Sequence, residues 1–495
     1  MKIALVSFEV YPFAKVGGLA DVAGSLPKYL RKLGEEIFIV MPYHKKIKEN
    51  AEKFGIKLVK SGIVLDKIQG APKIDVFSCK LPETDIDVYF VGSDSYFNTD
   101  KIYPGEELES KNAIIFSNAV FEIIKSLNLK VDVIHSNDWQ SGLVPVYLKA
   151  MYDRERIFEN TATVYTIHNL GYQGVFQANL LEFSGLHWDL FTMDRLEFYG
   201  KLNFMKGGII FSDVTNTVSA TYAKEIQTKE FGNKLEGVLA QKASIGSLFG
   251  IVNGIDYEEF NPETDNRITK NFTLSGPDDE KGFEDKYVNK LALQKEFNLD
   301  SGKDKFLTGA ISRLFVQKGV DLLVEAMESA LEFAPDIQLV VLGTGDKEYE
   351  EKLSDLEKKY PGRVSVNLKF DINMAQRIYA GVDAFLMPSR YEPCGLGQLI
   401  AMRYATVPIV RFTGGLADTV KEYSIETKEG NGFGFFEYDP KGLMDSISKA
   451  LNIFRNNKIH WKQVVYNAYS TDSSWEKSAN EYVKIYKKAI EDRRR

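Results

Sequence analysis

The chain has 495 residues, and its 62 Lys and Arg against 69 Asp and Glu give a formal net charge of −7. An acidic balance argues against a nucleic-acid-binding protein, which needs a basic field to displace counterions from phosphates. Two cysteines cannot build a disulfide framework or a four-cysteine zinc site, and no apolar run approaches the ~18 residues that span a membrane. We therefore expect a cytoplasmic protein of two or three domains that binds neither nucleic acid nor membrane.

Short apolar runs alternate with helical periodicity in the first half of the chain. The predicted strands of this half are residues 3–8, 37–40, 88–91, 131–135, 163–168 and 214–218. After the first strand, apolar residues spaced three or four apart begin at Leu19 and predict a helix that stops at Gly34.

The second half repeats this alternation more regularly. Its predicted strands are residues 307–311, 337–342, 364–368, 384–387 and 407–410. Strands that alternate with helices are typical of parallel sheets covered by helices on both faces. Because one such sheet would be too large for this length, we predict two doubly wound α/β domains, residues 1–250 and 251–463, joined near the small-residue run at 246–254. Helical patterning resumes at residues 475–490.

The pentapeptide GGLAD occurs twice, at residues 17–21 and 414–418. Each copy follows a predicted strand and precedes a helical stripe, where glycines let the chain approach a ligand and a helix start offers N–H groups to an anion. The alternative is two ordinary strand-to-helix turns. Since ligands of open α/β sheets bind beyond the carboxyl ends of strands, the pair indicates two domains that face each other across an anion-binding cleft.

Several familiar catalytic motifs are missing from the sequence. It contains no GxxxxGK[ST] phosphate loop, no GxGxxG dinucleotide turn, no HExxH pair and no GxSxG elbow, and its five histidines are scattered. The sequence therefore predicts neither a resident metal nor a dinucleotide cofactor.

A set of polar residues follows predicted strands in both halves. Each has a structural alternative, as a solvated basic residue, a hydrogen-bonded histidine or a helix-capping glutamate. Together, the cations would neutralise a diphosphate, while the carboxylates and the histidine would bind hydroxyl groups, which predicts a nucleotide-sugar site. The six residues are Lys15, Asp138, His168, Arg313, Lys318 and Glu392.

Seven motifs stand out along the chain. They are KVGGLADV (15–22), HSNDWQSGL (135–143), TIHNLGYQG (166–174), VNGID (252–256), SRLFVQKG (312–319), PSRYEPCGLGQL (388–399) and RFTGGLADTV (411–420). They make the chain resemble a known family, the bacterial glycogen synthases and plant starch synthases. The resemblance implies a GT-B fold, in which two Rossmann-like domains enclose the active site and C-terminal helices cross back to the first domain. Residues 464–495 would then join residues 1–250.

The resemblance also implies a reaction. Glucose would pass from ADP-glucose to the non-reducing 4-hydroxyl of an α-1,4-glucan such as glycogen, with retention of configuration and without metal or other cofactor. The family mechanism is a front-face substitution, so Glu392 would position the sugar without forming a covalent intermediate. Two alternatives stay open: a retaining GT-B transferase that uses UDP-glucose or another donor, and a non-catalytic glucan-binding protein.

Site residues follow from the same resemblance. Lys15, Arg313 and Lys318 would hold the diphosphate, with the backbone of Gly18 and Gly415 nearby. Glu392 would hold the donor glucose. The acceptor side would be lined by Asp138, His168 and Asn253. Further substrate contacts are expected from Gly17, Asp21, Phe370, Cys394, Gly395, Leu396, Thr413 and Gly414.

The chain departs from the family pattern at four positions. Val16 and Gly397 stand where a threonine is usual, Gln140 stands for a histidine, and Phe370 stands where a tyrosine is expected beside the nucleotide. None of these changes removes a charged residue, so we expect an active enzyme.

Overall fold

The computed structural model of the protein describes residues 1–494, which divide into two compact units. Unit 1 contains residues 1–253 together with the C-terminal segment that begins at Trp475. Unit 2 contains residues 254–474.

Unit 1 is built on a nine-stranded sheet of order β12-β11-β7-β6-β1-β2-β5-β4-β3. The strands from β12 to β5 run parallel, and β4 and β3 continue the sheet in antiparallel fashion. A small antiparallel sheet has the order β8-β10-β9. The strands are β1 (Lys2–Val6), β2 (Glu36–Pro42), β3 (Lys57–Val64), β4 (Lys73–Lys80), β5 (Asp87–Gly92), β6 (Val133–Asn137), β7 (Ala162–Ile167), β8 (Val175–Gln177), β9 (Glu197–Phe198), β10 (Lys201–Asn203), β11 (Val214–Thr217) and β12 (Leu248–Gly250).

Helices cover the central strands of unit 1, and for this reason β6 and β7 are buried at every residue. The long helices α1 and α5 carry apolar residues into two core clusters. The helices are α1 (Gly18–Lys32), α2 (Lys45–Lys48), α3 (Ala51–Phe54), α4 (Asp94–Phe97), α5 (Glu106–Ser126), α6 (Leu143–Tyr147), α7 (Leu180–Ser184), α8 (Phe204–Phe211), α9 (Ala220–Glu225) and α10 (Glu236–Ser244).

Unit 2 is built on a six-stranded parallel sheet of order β15-β14-β13-β16-β17-β18. Its strands are β13 (Phe306–Ile311), β14 (Ile337–Leu342), β15 (Val364–Asn367), β16 (Ala384–Met387), β17 (Val407–Arg411) and β18 (Phe433–Phe435). Its helices are α11 (Glu280–Glu296), α12 (Val320–Phe333), α13 (Lys347–Lys359), α14 (Ile372–Gly381), α15 (Gly397–Arg403), α16 (Gly414–Thr419), α17 (Pro440–Asn456) and α18 (Lys458–Ser470).

The last helix, α19 (Trp475–Arg494), belongs to unit 1. Its Tyr486 hydroxyl lies 2.9 Å from His135 Nδ1 on β6, and its Tyr482 hydroxyl accepts a hydrogen bond from Asn216 on β11 at 3.2 Å. The C-terminal helix therefore completes the cover over the first sheet. In residues 1–494, no helix is both long enough and apolar enough to cross a membrane.

The two doubly wound α/β domains predicted from the sequence are confirmed, and every predicted strand overlaps a strand of the structure. The antiparallel strands β3 and β4 were missed because neither carries a continuous apolar run. Almost every residue of β3 is exposed, and in β4 the buried Ile74 and Val76 alternate with polar or half-buried residues. The segment 464–495 is divided between the units. Its first part belongs to α18, whose Trp461 packs edge-on against Phe306 and Phe454 in the core of unit 2, and the chain joins unit 1 from Trp475 onward.

A buried ion pair ties α11 to the sheet of unit 2. Lys290 Nζ lies 2.7 Å from Asp383 Oδ2, and the two side chains are 1% and 4% exposed. The ammonium also donates to the carbonyl of Lys305 at 2.6 Å, and the carboxylate accepts the Leu307 N–H at 2.8 Å. Because both charges are withdrawn from water, each depends on the other for its solvation.

We predict that Lys290→Met destabilises unit 2 by about 3–5 kcal/mol, because it leaves the Asp383 carboxylate buried without its cation. The matched control is Lys303→Met, which breaks the exposed ion pair with Glu284 and should cost less than about 1 kcal/mol. Hydrogen exchange of peptides from β13 and β16 measures both changes. Equal effects of the two variants would show that burial of the pair does not matter.

Candidate active-site residues in each unit

In unit 1, Asp138 and His168 lie together because β6 and β7 are neighbouring parallel strands and both residues follow directly after them. Asp138 Oδ1 accepts the backbone N–H of His168 at 2.7 Å. The ring of His168 turns back to β6, where its Nε2 lies 2.9 Å from Asn137 Oδ1. The structure therefore joins two residues that the sequence placed only on separate strands.

The hydrogen bonds of Asn137 determine which nitrogen of His168 carries the proton. Asn137 Nδ2 donates to the carbonyl of Val6 at 3.2 Å, so its Oδ1 is the acceptor that receives the Nε2–H of His168. Burial lowers the pKa of His168 to about 3, and the ring is neutral at neutral pH. Its Nδ1 is then a hydrogen-bond acceptor suited to a hydroxyl group.

Asp138 raises the free energy of the folded state in two ways. Its backbone has φ 55° and ψ 179°, a region that is essentially restricted to glycine. Burial raises the pKa of its carboxyl to about 7; the N–H groups of His168 and Asn169 oppose this shift, and the charge of Glu9 adds to it. A strained and desolvated carboxyl at a strand end is typical of a functional residue.

The first GGLAD copy forms an exposed loop and the start of α1. Lys15 Nζ lies 2.6 Å from Asp21 Oδ1 in the first turn of that helix. A β-carbon built at Gly17 would meet no atom within 4 Å, so this glycine leaves open space above the loop. The N–H groups of Val16 and Gly17 point inward and donate to Glu9 Oε2, the second at 3.0 Å.

The sequence analysis did not single out Glu9. What could have indicated it is a charged residue just beyond the carboxyl end of the mostly apolar strand β1, three residues after Val6. The carboxylate is 3% exposed and also accepts the hydroxyl hydrogen of Tyr103.

In unit 2, Lys318 and Glu392 form a close pair. Lys318 ends a short helical turn after β13, and Gly319 follows with φ +68° and with its β-carbon position only 2.0 Å from the carbonyl oxygen of Pro388. Only glycine fits there, and this approach brings Lys318 Nζ to 2.6 Å from Glu392 Oε2. Ser389 Oγ donates to the same oxygen at 3.0 Å, and Glu392 is 6% exposed.

The second GGLAD copy holds the Glu392 segment in place. The N–H of Gly415 donates to the carbonyl of Glu392 at 3.0 Å, and a β-carbon on Gly415 would lie 2.0 Å from the carbonyl oxygen of Cys394. From the other side, Gln398 Nε2 donates to the carbonyls of Cys394 and Gly395. This N–H is therefore used within the chain, because the two backbones pack in direct contact, and the expected position of the Gly415 backbone near a diphosphate stays a prediction.

A cavity of about 130 Å³ adjoins the Lys318–Glu392 pair, and Leu396 and Gly397 line it. A β-carbon on Gly397 would approach the Phe385 ring to 3.0 Å and the Met387 sulfur to 3.3 Å. A larger residue at position 397 would therefore press on the Phe385 ring and on the Met387 side chain.

The remaining predicted residues are more dispersed. Arg313 is exposed after β13, and its guanidinium lies 5.7 Å from the centroid of the Phe315 ring. Phe370 follows β15 and is 82% exposed. Asn253 is buried, and its Oδ1 has no hydrogen-bond partner among residues 1–494. Thr413 precedes the first residue of α16.

Both parts of the chain match known families. Residues 2–241 match the starch synthase catalytic domain, and residues 293–469 match the glycosyl transferases of group 1. Two Rossmann-like units that carry these matches define a glycosyltransferase of the GT-B class.

Relatives that match over the full length of the chain show which family of glycosyltransferases it belongs to. The chain is 54% identical to a glycogen synthase of Thermosipho africanus (strain TCF52B), with 100% of each chain covered. It is 53% identical to a glycogen synthase of Thermotoga petrophila, with 99% of each covered. Among solved structures it is similar to the catalytic domain of Starch Synthase IV from Arabidopsis thaliana bound to ADP and acarbose, with a TM-score of 0.87, 31% identity and 99% of each chain covered. The chain belongs to the glycogen and starch synthase family, and it is a hexosyltransferase.

We predict that Asp138→Gly is more stable than Asp138→Ala by about 1–3 kcal/mol, because both lose the carboxylate but only glycine relieves the backbone strain. This order reverses the usual one, in which alanine is favoured by about 0.4–1 kcal/mol through the unfolded chain. Chemical denaturation of the two variants measures the difference. A more stable alanine variant would show that the backbone at this position is not strained.

We also predict that kcat/KM of the free enzyme rises about tenfold per pH unit up to pH about 7 and is constant above it. The raised pKa of Asp138 keeps the carboxyl protonated below that pH, and the carboxylate is the form that accepts hydrogen bonds. Asp138→Asn should have a lower and flat profile between pH 6 and pH 8. A wild-type inflection that persists in this variant would assign the titration to another group.

Proposed function

We propose that this enzyme transfers glucose from ADP-glucose to the 4-hydroxyl at the non-reducing end of an α-1,4-glucan, with retention of the anomeric configuration. The observation that carries the proposal is the Lys318–Glu392 pair, with 2.6 Å between Nζ and Oε2. It offers a cation for a phosphate beside a carboxylate for sugar hydroxyls, and a nucleotide-sugar needs both.

The donor contacts proposed in unit 2 surround this pair. Arg313 supplies a second cation, and the exposed ring of Phe370 offers a flat apolar surface to a base. Residues 394–396 and 413–415 contribute backbone and small side chains. The related Arabidopsis domain is bound to ADP, which supports an adenine nucleotide for this chain.

Negative charge that develops on the departing ADP has to be stabilised. Preorganised cations and N–H groups do this at low cost, and the loss of one such donor typically lowers the rate by ~10²–10³. We propose that Lys318, Arg313 and Lys15 share this task, with Gly17, Gly18 and Asp21 shaping the loop around Lys15. These cations take the place of a metal ion, so the reaction would need none.

The acceptor contacts proposed in unit 1 are Asp138 and His168, with Asn253 as a further polar group. Neutral His168 would accept a sugar hydroxyl at Nδ1, and the carboxylate of Asp138 would accept another. The Arabidopsis relative is also bound to acarbose, which supports a carbohydrate ligand on this chain.

Retention is proposed to occur by substitution on one face of the sugar. The bond from C1 to the phosphate oxygen breaks while the bond from C1 to the acceptor oxygen forms, and the acceptor proton passes to the departing phosphate. Glu392 Oε2 already accepts from Lys318 and Ser389, which weakens it as a nucleophile. Glu392 therefore acts as a positioning group for the donor sugar. We propose a cytoplasmic location, where nucleotide-sugars are available.

The test is glucose incorporation into glycogen from ADP-glucose or UDP-glucose in the presence of EDTA. We expect ADP-glucose to be preferred at least ~10-fold in kcat/KM, and new linkages that NMR identifies as α. Lys318→Met should lower kcat ~10²–10³-fold, because it removes a cation from the departing phosphate. The control Lys303→Met removes an exposed lysine of the same unit and should leave kcat unchanged.

Each part of the proposal has its own contradicting result. No transfer from either donor would leave a non-catalytic glucan-binding protein. A preference for UDP-glucose would show that the donor is not ADP-glucose. New β-linkages would exclude retention of configuration. Loss of activity in EDTA would show that the reaction needs a metal ion.

A further inference from the structure

Glu9 is a buried carboxylate, and within residues 1–494 all of its hydrogen bonds come from uncharged groups. Its Oε2 accepts the backbone N–H groups of Val16 and Gly17, and its Oε1 accepts the hydroxyl hydrogen of Tyr103. A buried anion is stable only when donors surround it, so the loop before α1 is wrapped around this carboxylate.

The chain of hydrogen bonds continues from Tyr103 to the Asp138 turn. Because a carboxylate can only accept, the Tyr103 hydroxyl must donate to Glu9, and its oxygen is left to accept from Gln140 Nε2 at 3.1 Å. Burial and the charge of Glu9 raise the pKa of Tyr103 well above its usual value, so the phenol keeps its proton. Gln140 stands two residues after Asp138.

We propose that Glu9 is a positioning residue of the transfer reaction, which fixes the Lys15 loop and, through Tyr103 and Gln140, couples it to the Asp138 turn. The inference rests on the proposed function, in which this loop carries a phosphate-binding cation and this turn carries an acceptor-binding carboxylate. The two segments are far apart in sequence and belong to different strand ends, so without this relay each would have to be ordered separately when substrates bind. Ordering them beforehand lowers the entropy cost of reaching the reactive geometry.

Two variants cut the relay at different points. Glu9→Gln keeps the shape of the side chain but has a single acceptor oxygen, so it cannot accept hydrogen bonds from the loop and from Tyr103 at the same time. Tyr103→Phe leaves the bonds between Glu9 and the loop intact and removes both bonds of the Tyr103 hydroxyl, the one to Glu9 and the one from Gln140.

The chain offers a matched control in the same unit. Asn118 Nδ2 donates to the Tyr152 hydroxyl at 3.1 Å, and that hydroxyl donates to Glu122 Oε1 at 2.9 Å. This amide–tyrosine–glutamate chain has the same order of donors as the relay, but it joins α5 to the segment after α6 and touches neither the Lys15 loop nor the Asp138 turn. Tyr152→Phe therefore removes an equivalent bond with no positioning role.

The experiment compares the three variants by steady-state kinetics and by hydrogen exchange without substrate. Tyr103→Phe should lower kcat/KM for the nucleotide donor about 10–100-fold and speed exchange in both segments, residues 14–19 and 138–142. Glu9→Gln should do the same with a larger rise in KM. Tyr152→Phe should leave kcat and KM unchanged, whatever it does to the melting temperature.

Wild-type kinetics in Tyr103→Phe and Glu9→Gln, or an equal kinetic loss in Tyr152→Phe, would overturn the positioning role. Faster exchange confined to one segment would overturn the coupling. If the wild-type enzyme transfers glucose from no donor, the proposed function fails, whereas the exchange of the two segments still decides whether the relay couples them.

Discussion

Each unit of the structure buries a carboxylate at the end of a strand, and the surrounding chain is arranged to satisfy it. In unit 1, Glu9 accepts hydrogen bonds from the backbone of the loop before α1 and from the hydroxyl of Tyr103. In unit 2, Glu392 accepts hydrogen bonds from Lys318 and Ser389. Because an unpaired buried carboxylate costs several kcal/mol, these donors cannot move away independently, and the loops that carry them are held at the carboxyl edge of each sheet.

The two anions differ in the charge of their partners, and this difference suits different tasks. Within residues 1–494, Glu9 is matched only by neutral donors, and Lys15 of the surrounding loop lies outside, where it pairs with the partly exposed Asp21. Glu392 is matched by a lysine, so a ligand phosphate that approaches Lys318 meets a cation already held in place. The hydrogen bonds of Glu9 thus fix the conformation of a loop, and the ion pair of Glu392 fixes the position of a cation.

The repeated pentapeptide illustrates how identical residues take different roles. At residues 17–21 the glycine leaves open space above the loop, which a ligand can enter. At residues 414–418 the glycines allow α16 to contact the backbone of Glu392 and Cys394. Only the second copy needs residues without a β-carbon, because a β-carbon at Gly17 would meet no atom within 4 Å. The sequence alone does not separate the two cases. The neighbouring chain decides which one applies.

The sequence by itself determined the two α/β domains and the family, and it predicted most residues of the candidate site. Parallel strands that are buried on both faces, such as β7 and β14, are mostly apolar, and the residues that follow them lie at one edge of the sheet. Strands β3 and β4 lack that apolar pattern, so only the tertiary structure revealed them. The same holds for the hydrogen-bond partners of the buried groups. Tyr103 reaches Glu9 across 94 residues, and Glu392 reaches Lys318 across 74. No local pattern encodes such pairs, because a hydrogen bond depends on where the folded backbone brings the two atoms.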